Sequence, residues 1–490
     1  MAISFNAIPI SIRVPGVYVE IDNTKAFRGL YGLPTRILVV GQRLSSSAIP
    51  TLTPERFTRA DQALARCGNS MLGHMLSALL TASDWTETWA IALDDNPAGA
   101  KAAGLLAFAG TATAAGTLNL YFGGVRVQIG VAAGATATQV ASDVADAITA
   151  ADGLLVSAVV DGEDDTQVDL TFAHKGVTGN NYDVRHSYYA GDGLPAGVTL
   201  AITALAGGSG NPDIQDALDR IGDDWYTDLV CPYTDTANLA AAEAKAAGEF
   251  GPLVMHDLHV WAAAAGSFST LTSLGDSRNS PHLTIIGAQA SPTPPWLWAS
   301  VLAAISAYYL SIDPARPLQT LALPGVLPPL VADRFNLTER NQLLFDGIAT
   351  WRATADGQVV IERAVTTYET NAFGAVDPSY LDVETLRTLA FLRFDLRNYI
   401  AVTFSRYKLA DDGTAFGRGQ AVVTPRVIRS AIVARFGLWQ AQGLAENVDQ
   451  FKSDLIVERD ANDPNRVNCL VPPDIVNQLR VVAAQLQFRL

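Results

Sequence analysis

The 490-residue sequence predicts an α/β (α+β multidomain) protein: a discontinuous α/β core with an inserted β-rich domain, followed by a C-terminal α+β domain. Three observations predict it. Apolar strand runs alternate with helical patterns over residues 29–94 and again over 211–350. Between them, residues 95–210 read as short strands joined by Gly-rich turns. From 351 to 473 the pattern changes to long amphipathic helices and one hairpin.

In the first core segment, "TRILVVG" (35–41) and "TWAIALD" (88–94) are strands apolar enough to be buried on both faces. Between them a helix is expected from Thr53 as cap and Pro54 at the first helical position, and a second over "SMLGHMLSALLTA". From Asn96 to about Ala115 the chain is nearly all Ala, Gly and Thr. "TLNLYF-GG-VRVQIG" then predicts a hairpin turning on Gly123-Gly124, with a helix over 138–150 and strands near 154–160 and 167–172 after it.

The core pattern resumes at "GGSGNPDIQDALDRI", with a helix expected from Asn211 as cap and Pro212 as its first residue. Strands follow at 225–233 and 282–289, with helices at 237–248, 267–274 and over "PPWLWASVLAAISAYYL". In that last helix Trp296 and Trp298 fall on different faces, which suits one in the core and one in a contact between domains or subunits. Prolines break up 313–330, "GQVVIERAVTTY" alternates as a strand, and two amphipathic helices lead to "SDLIVERD" and "RVNCLV", a hairpin closed by "ANDPN".

Composition narrows function. A net charge of −15 and a pI near 4.8 argue against nucleic-acid coating or adhesion to anionic membranes. Charge is uneven: residues 94–206 hold 12 acidic and 4 basic side chains, residues 385–490 hold 10 and 14. Three dispersed cysteines (67, 231, 469), the lack of a signal-peptide pattern and an apolar run of only 296–310 fit a soluble chain made in the cytoplasm.

Catalytic and metal motifs are weak. His256 and His259 in "MHDLH" lack a third ligand, "DGEDDTQVD" (161–169) breaks the calcium-loop order, and "GGSGN" (207–211) lacks the GK[ST] of a phosphate loop. No catalytic residue, metal or cofactor is expected. A soluble α/β hydrolase with a β-rich accessory domain remains as the enzymatic alternative, because triads are set by geometry and not by sequence order.

Two alternating runs have no neighbour to pair with. One is Val17, Tyr18, Val19, Glu20 and Ile21 in "RVPGVYVEID"; the other is "LRVVAAQLQFRL", with Val481, Ala483, Leu486 and Phe488. Their backbone groups need partners elsewhere. "IPISIRVPGVYVEIDNTKA" (8–26), "NPDIQDALDRIGDDWYTDLVCPYTD" (211–235) and "VERDANDPNRVNCLVPPDIVNQLRVVAAQLQFRL" (457–490), with the split core, resemble the contractile phage tail sheath family, Mu-like subgroup.

The resemblance implies a structural subunit of stacked six-membered rings around a tail tube, contacting baseplate and terminator proteins and contracting to drive the tube through the host envelope. It also implies a virion component assembled in the host bacterial cytoplasm, without membrane insertion or direct nucleic-acid contact; a tailocin or other injection particle is the related alternative. Residues 1–28 become an N-terminal arm and 474–490 a C-terminal arm. Both are expected to pair with a neighbour's sheet at Leu455, Ile456, Val457, Val467 and Cys469. Arg387, Arg393, Arg397, Arg426 and Arg429, with Arg435, are the candidates for facing an acidic tube.

Overall fold

The computed structural model describes residues 14–17, 19, 29–417 and 419–489. They form two compact units: residues 33–391 with 477–489, and residues 392–476 with the described residues before 33.

The larger unit begins with β1 (Arg36–Gln42), six of its seven residues buried. No helix starts at Pro54. Instead Glu55–Phe57 is a short strand, β2, and α1 (Ala60–Cys67) begins later behind Arg59. Helix α2 (Met71–Ala82) is capped by Ser70, whose hydroxyl accepts the Gly73 N–H at 3.2 Å. β3 (Glu87–Leu93) pairs parallel with β1 and antiparallel with β2, and this pairing with buried Phe57 outweighs the helix-start signal.

The Ala/Gly/Thr stretch is a strand, β4 (Lys101–Gly110), that sequence reading did not find. Small residues suit it: at Gly104 a Cβ would come within 2.8 Å of the Thr203 carbonyl. β5 (Gly116–Phe122) and β6 (Val125–Val131) form the expected hairpin, with Gly123 and Gly124 at φ of 56° and 88°. Then come α3 (Ala137–Ala150), β7 (Val156–Val160), β8 (Gln167–Lys175), β9 (Val184–His186) and β10 (Val198–Ala206). They make two antiparallel sheets, β10-β4-β8-β7 and β6-β5-β9.

The next helix, α4 (Gln215–Leu218), starts three residues beyond Pro212. Asn211 caps nothing; its Oδ1 accepts the Val177 N–H and its Nδ2 donates to Asp235. The chain continues as β11 (Asp228–Val230), α5 (Thr236–Phe250), β12 (His259–Ala264), α6 (Phe268–Asp276), β13 (Leu283–Gly287), α7 (Pro295–Ile312), α8 (Leu337–Phe345), β14 (Ile348–Ala353) and β15 (Val359–Arg363). β12 was missed because its polar start, "DLH", hides a wholly buried run. His256 and His259 therefore share no helical face; His259 is buried in β12 and bonds the Thr284 hydroxyl at 2.9 Å.

These strands complete an eight-stranded sheet in the order β15-β14-β13-β12-β11-β1-β3-β2, the middle six parallel and each edge strand antiparallel. β14 and β15 extend this sheet, so the stretch just after 350 completes the core instead of opening a C-terminal domain. Helix α7 is long and apolar enough to cross a bilayer by length and composition, yet 72% of it is buried. Trp296 and Trp298 are both buried: Trp298 is in the core, its indole bonded to the Ser291 hydroxyl at 3.0 Å, and Trp296 lines a cavity with Val177, Thr178 and Asn181 of the inserted segment, as expected of a contact between domains.

Helix α9 (Val383–Phe404) starts in the larger unit and continues into the smaller. The smaller unit adds β16 (Lys408–Leu409), β17 (Val422–Val423), α10 (Pro425–Ala441), β18 (Ala445–Glu446), α11 (Val448–Asp454), β19 (Ile456–Arg459), β20 (Val467–Leu470) and β21 (Asp474–Ile475). Its core stacks Phe436 on Phe451 at 4.0 Å, with Trp439 alongside.

Candidate assembly surface

The hairpin expected from "SDLIVERD" and "RVNCLV" is present as β19 and β20, pairing Ile456 with Leu470 and Val457 with Cys469. It is a two-stranded sheet of its own, so among the described residues each strand has one unpaired edge. Ile456 and Leu470, opposite each other, are 51% and 60% exposed. Leu455 lies outside the strand; it is buried and its backbone N–H closes the end of α11. Of the C-terminal run, only Asp474–Ile475 is a strand, paired with β18. Val481, Ala483, Leu486 and Phe488 form no strand in the single chain and are exposed. Val17 and Val19 are likewise exposed and outside any strand, while Tyr18, Glu20 and Ile21 lie outside the described residues.

The root of each terminal segment is held by an arginine–carboxylate contact that sequence reading missed, buried in the smaller unit and part-buried in the larger. In the smaller unit Asp395, fully buried on α9, accepts Arg435 Nε at 2.7 Å, Arg435 Nη2, Trp439 Nε1 at 2.7 Å and the Tyr31 backbone N–H at 2.8 Å. Arg435 Nη1 also reaches the Gly29 carbonyl at 3.3 Å, and its guanidinium lies over the rings of Tyr31 and Tyr399. One ion pair thus joins residues 29–31 to α9 and α10. In the larger unit Arg480 Nη2 bonds Asp382 and Glu384, each at 2.9 Å, and Glu384 also accepts the Leu318 N–H.

Burial raises the Glu384 carboxyl above its ordinary 4.5, and Arg480 opposes that rise. Replacing Arg480 with Ala takes the opposing charge away, so the folded chain holds the Glu384 proton to higher pH than the unfolded chain. Stability then declines as pH rises past the ordinary glutamate value. The R480A melting temperature is expected to fall further below that of the unaltered chain at about pH 8 than at about pH 5. An equal drop at both would show that Glu384 does not depend on Arg480.

The arginines expected on a tube-facing surface divide. Arg387 is buried and paired with fully buried Asp228, which also accepts the Trp261 indole N–H at 2.7 Å, so Arg387 is withdrawn from that surface. Arg435 is withdrawn likewise. Arg429 is half-buried and donates to the Lys452 and Leu455 carbonyls at the end of α11. Arg393 is half-buried, and Arg397 and Arg426 are exposed. Helical periodicity cannot separate these cases, because the partner of Arg387 is 159 residues away in sequence.

No group of three or more His, Cys, Asp or Glu side chains placed to hold a metal occurs among the described residues. What the molecule presents is unpaired sheet edge and exposed apolar chain, the equipment of a structural protein. Models of the phage tail sheath protein central domain and the phage tail sheath C-terminal domain match residues 207–367 and 375–489. The chain belongs to the phage tail sheath family, whose members are structural proteins and not enzymes, and the hydrolase alternative is set aside.

Within that family its kind is Mu-like. It is 40% identical over 489 residues, all of both chains, to the Mu-like prophage FluMu tail sheath protein of Haemophilus influenzae. It is thus a virion component, the tail sheath of a Mu-like phage. Solved structures similar to it include sheath tail proteins of Desulfitobacterium hafniense (15% identity, TM-score 0.47, 94% of this chain and 100% of that one) and Listeria innocua (14%, 0.49, 92% and 94%). The sheath of an extracellular contractile injection system in its contracted state is another (12%, 0.46, 97% and 98%).

Proposed function

We propose that this subunit polymerises through its terminal segments, which add strands to the β19–β20 hairpin of neighbouring copies. The open hairpin carries the reading. A two-stranded sheet is marginal in water and gains from a third strand, and Ile456 and Leu470 offer an apolar face for it. The alternating run from Val481 to Phe488 has the length and period of such a strand. The copies form six-membered rings stacked helically on a tail tube, with baseplate and terminator proteins at the ends. Contraction of the stack drives the tube through the host envelope. Arg397, with Arg393 one turn earlier on α9, and Arg426 at the start of α10 face the tube through screened contacts weak enough to slide.

Negative-stain microscopy and sedimentation of the purified chain test the reading. Tubes or polydisperse polymers are expected; a compact monomer or dimer at all concentrations would refute it.

A further inference from the structure

We infer that the inserted segment makes a second link between copies, in which edge strand β10 of one copy pairs antiparallel with edge strand β7 of the next. The two strands are the outer members of the four-stranded sheet β10-β4-β8-β7. Among the described residues, 156–160 and 199–206 make no backbone hydrogen bond beyond the ladders with β8 and β4. Each strand thus offers a row of free N–H and C=O groups.

The sequence sets these two edges apart. Natural edge strands are blunted by charge, proline, shortness or cover. β2 carries Glu55 and Arg56, β6 carries Arg126, β9 carries Arg185 and β19 carries Glu458 and Arg459, while β15 is covered by residues 320–323. β7 ("VSAVV") and β10 ("VTLAITALA") hold no charge and no proline. Among described edge strands of three or more residues they share that only with β20, the edge already assigned to strand exchange.

Burial shows what each edge lacks. Val160, Val168, Leu106 and Ile202 line up across one side of the sheet. The inner two are fully buried, whereas Val160 and Ile202 at the margins are only partly so, and a strand added at either edge completes their burial. On the other side Val159, 64% exposed, faces solvent with Ser157, Ala201 and Thr203.

Strand direction selects the partner. Neighbours in this sheet are antiparallel throughout, so its two outer strands run in opposite directions. Copies set side by side in one orientation therefore bring β10 against β7 antiparallel, with each side of the sheet continuing across the joint. The regular part of β10, residues 198–203 ahead of its bulge, matches the five residues of β7. Such a contact is head-to-tail and repeats from copy to copy, whereas two β10 strands paired about a two-fold axis stop at a dimer. Like charge keeps the joint weak between separate copies: residues 94–206 hold 12 acidic and 4 basic side chains, with Asp161, Glu163, Asp164 and Asp165 in the turn after β7. It closes once strand exchange has brought copies together at high effective concentration.

The test uses the full chain carrying Cys469→Ser, which leaves only buried cysteines. Within one copy β7 and β10 stand about 14 Å apart at ~4.8 Å per strand, too far for a disulfide. Ala201→Cys combined with Ser157→Cys or with Val159→Cys, assembled and then oxidised, is expected to give a ladder of disulfide-linked multimers from at least one of the two pairs. Ala201→Cys with Ser142→Cys, exposed on α3, is expected to give none. Dimers from Ala201→Cys alone, or a ladder from Ala201→Cys with Leu486→Cys instead, would hand β10 to another β10 or to the C-terminal arm and overturn the assignment. Separately, Ser157→Lys with Ala201→Lys sets like charges across the joint and is expected to raise the concentration needed for polymerisation about two- to fivefold, with the monomer melting temperature unchanged. Ser157→Glu with Ala201→Lys is expected to restore it. The inference rests on self-assembly: polymers that form without a ladder, or with the double lysine variant behaving as the unaltered chain, overturn this joint alone. An unaltered chain that never polymerises overturns both.

Discussion

Asp395→Ala is expected to lower unfolding free energy by about 3–5 kcal/mol, the typical loss when one partner of a buried ion pair is removed. Asp395 is fully buried, and its loss leaves Arg435, with a side chain only 6% exposed, as an uncompensated charge beside an orphaned Trp439 indole N–H. Replacing both members together, Asp395→Leu with Arg435→Met, is expected to recover much of the loss, because no bare charge remains. Chemical unfolding of the two single variants and the double variant supplies the coupling energy. Additive losses, with no recovery in the double variant, would show that Asp395 and Arg435 act independently.

The second large effect is on assembly. Removal of residues 481–490, or of residues 1–25, is expected to abolish polymerisation while leaving the monomer's melting temperature within about a degree or two, as for surface changes away from packed features. Residues 481–489 lie beyond the Arg480 anchor and are exposed, so they bury little in the single chain. Sedimentation of each truncated chain beside the full one provides the check. Normal polymers from both would refute strand exchange as the linkage.

Elements with strong periodic signals were legible in the sequence. β1, β3, α2, α7 and the Gly123–Gly124 hairpin stand where their patterns put them. The misses share a cause, namely distant partners overriding local chemistry. Pro54 reads as a helix start until β3 supplies an antiparallel neighbour for Glu55–Phe57. β4 is invisible because Ala and Gly carry no alternation, and two flanking strands give it form. The candidate assembly surface was half legible. The hairpin was read correctly, whereas the arginines were read as one charged face although Arg387 and Arg435 are internal. Nothing local in "ETLRTLAF" distinguishes a solvated arginine from one paired with Asp228.

The Tyr31–Asp395–Arg435 junction has a mechanical consequence. Tension carried into Gly29 and Tyr31 is borne by hydrogen bonds that end on one arginine and one aspartate, seated on two different helices. Tension divides between α9 and α10 at that point, where several bonds must fail together. A strand peeled from a sheet edge yields its bonds one at a time, so the arm is expected to slip off a partner at lower force than it tears from its own fold.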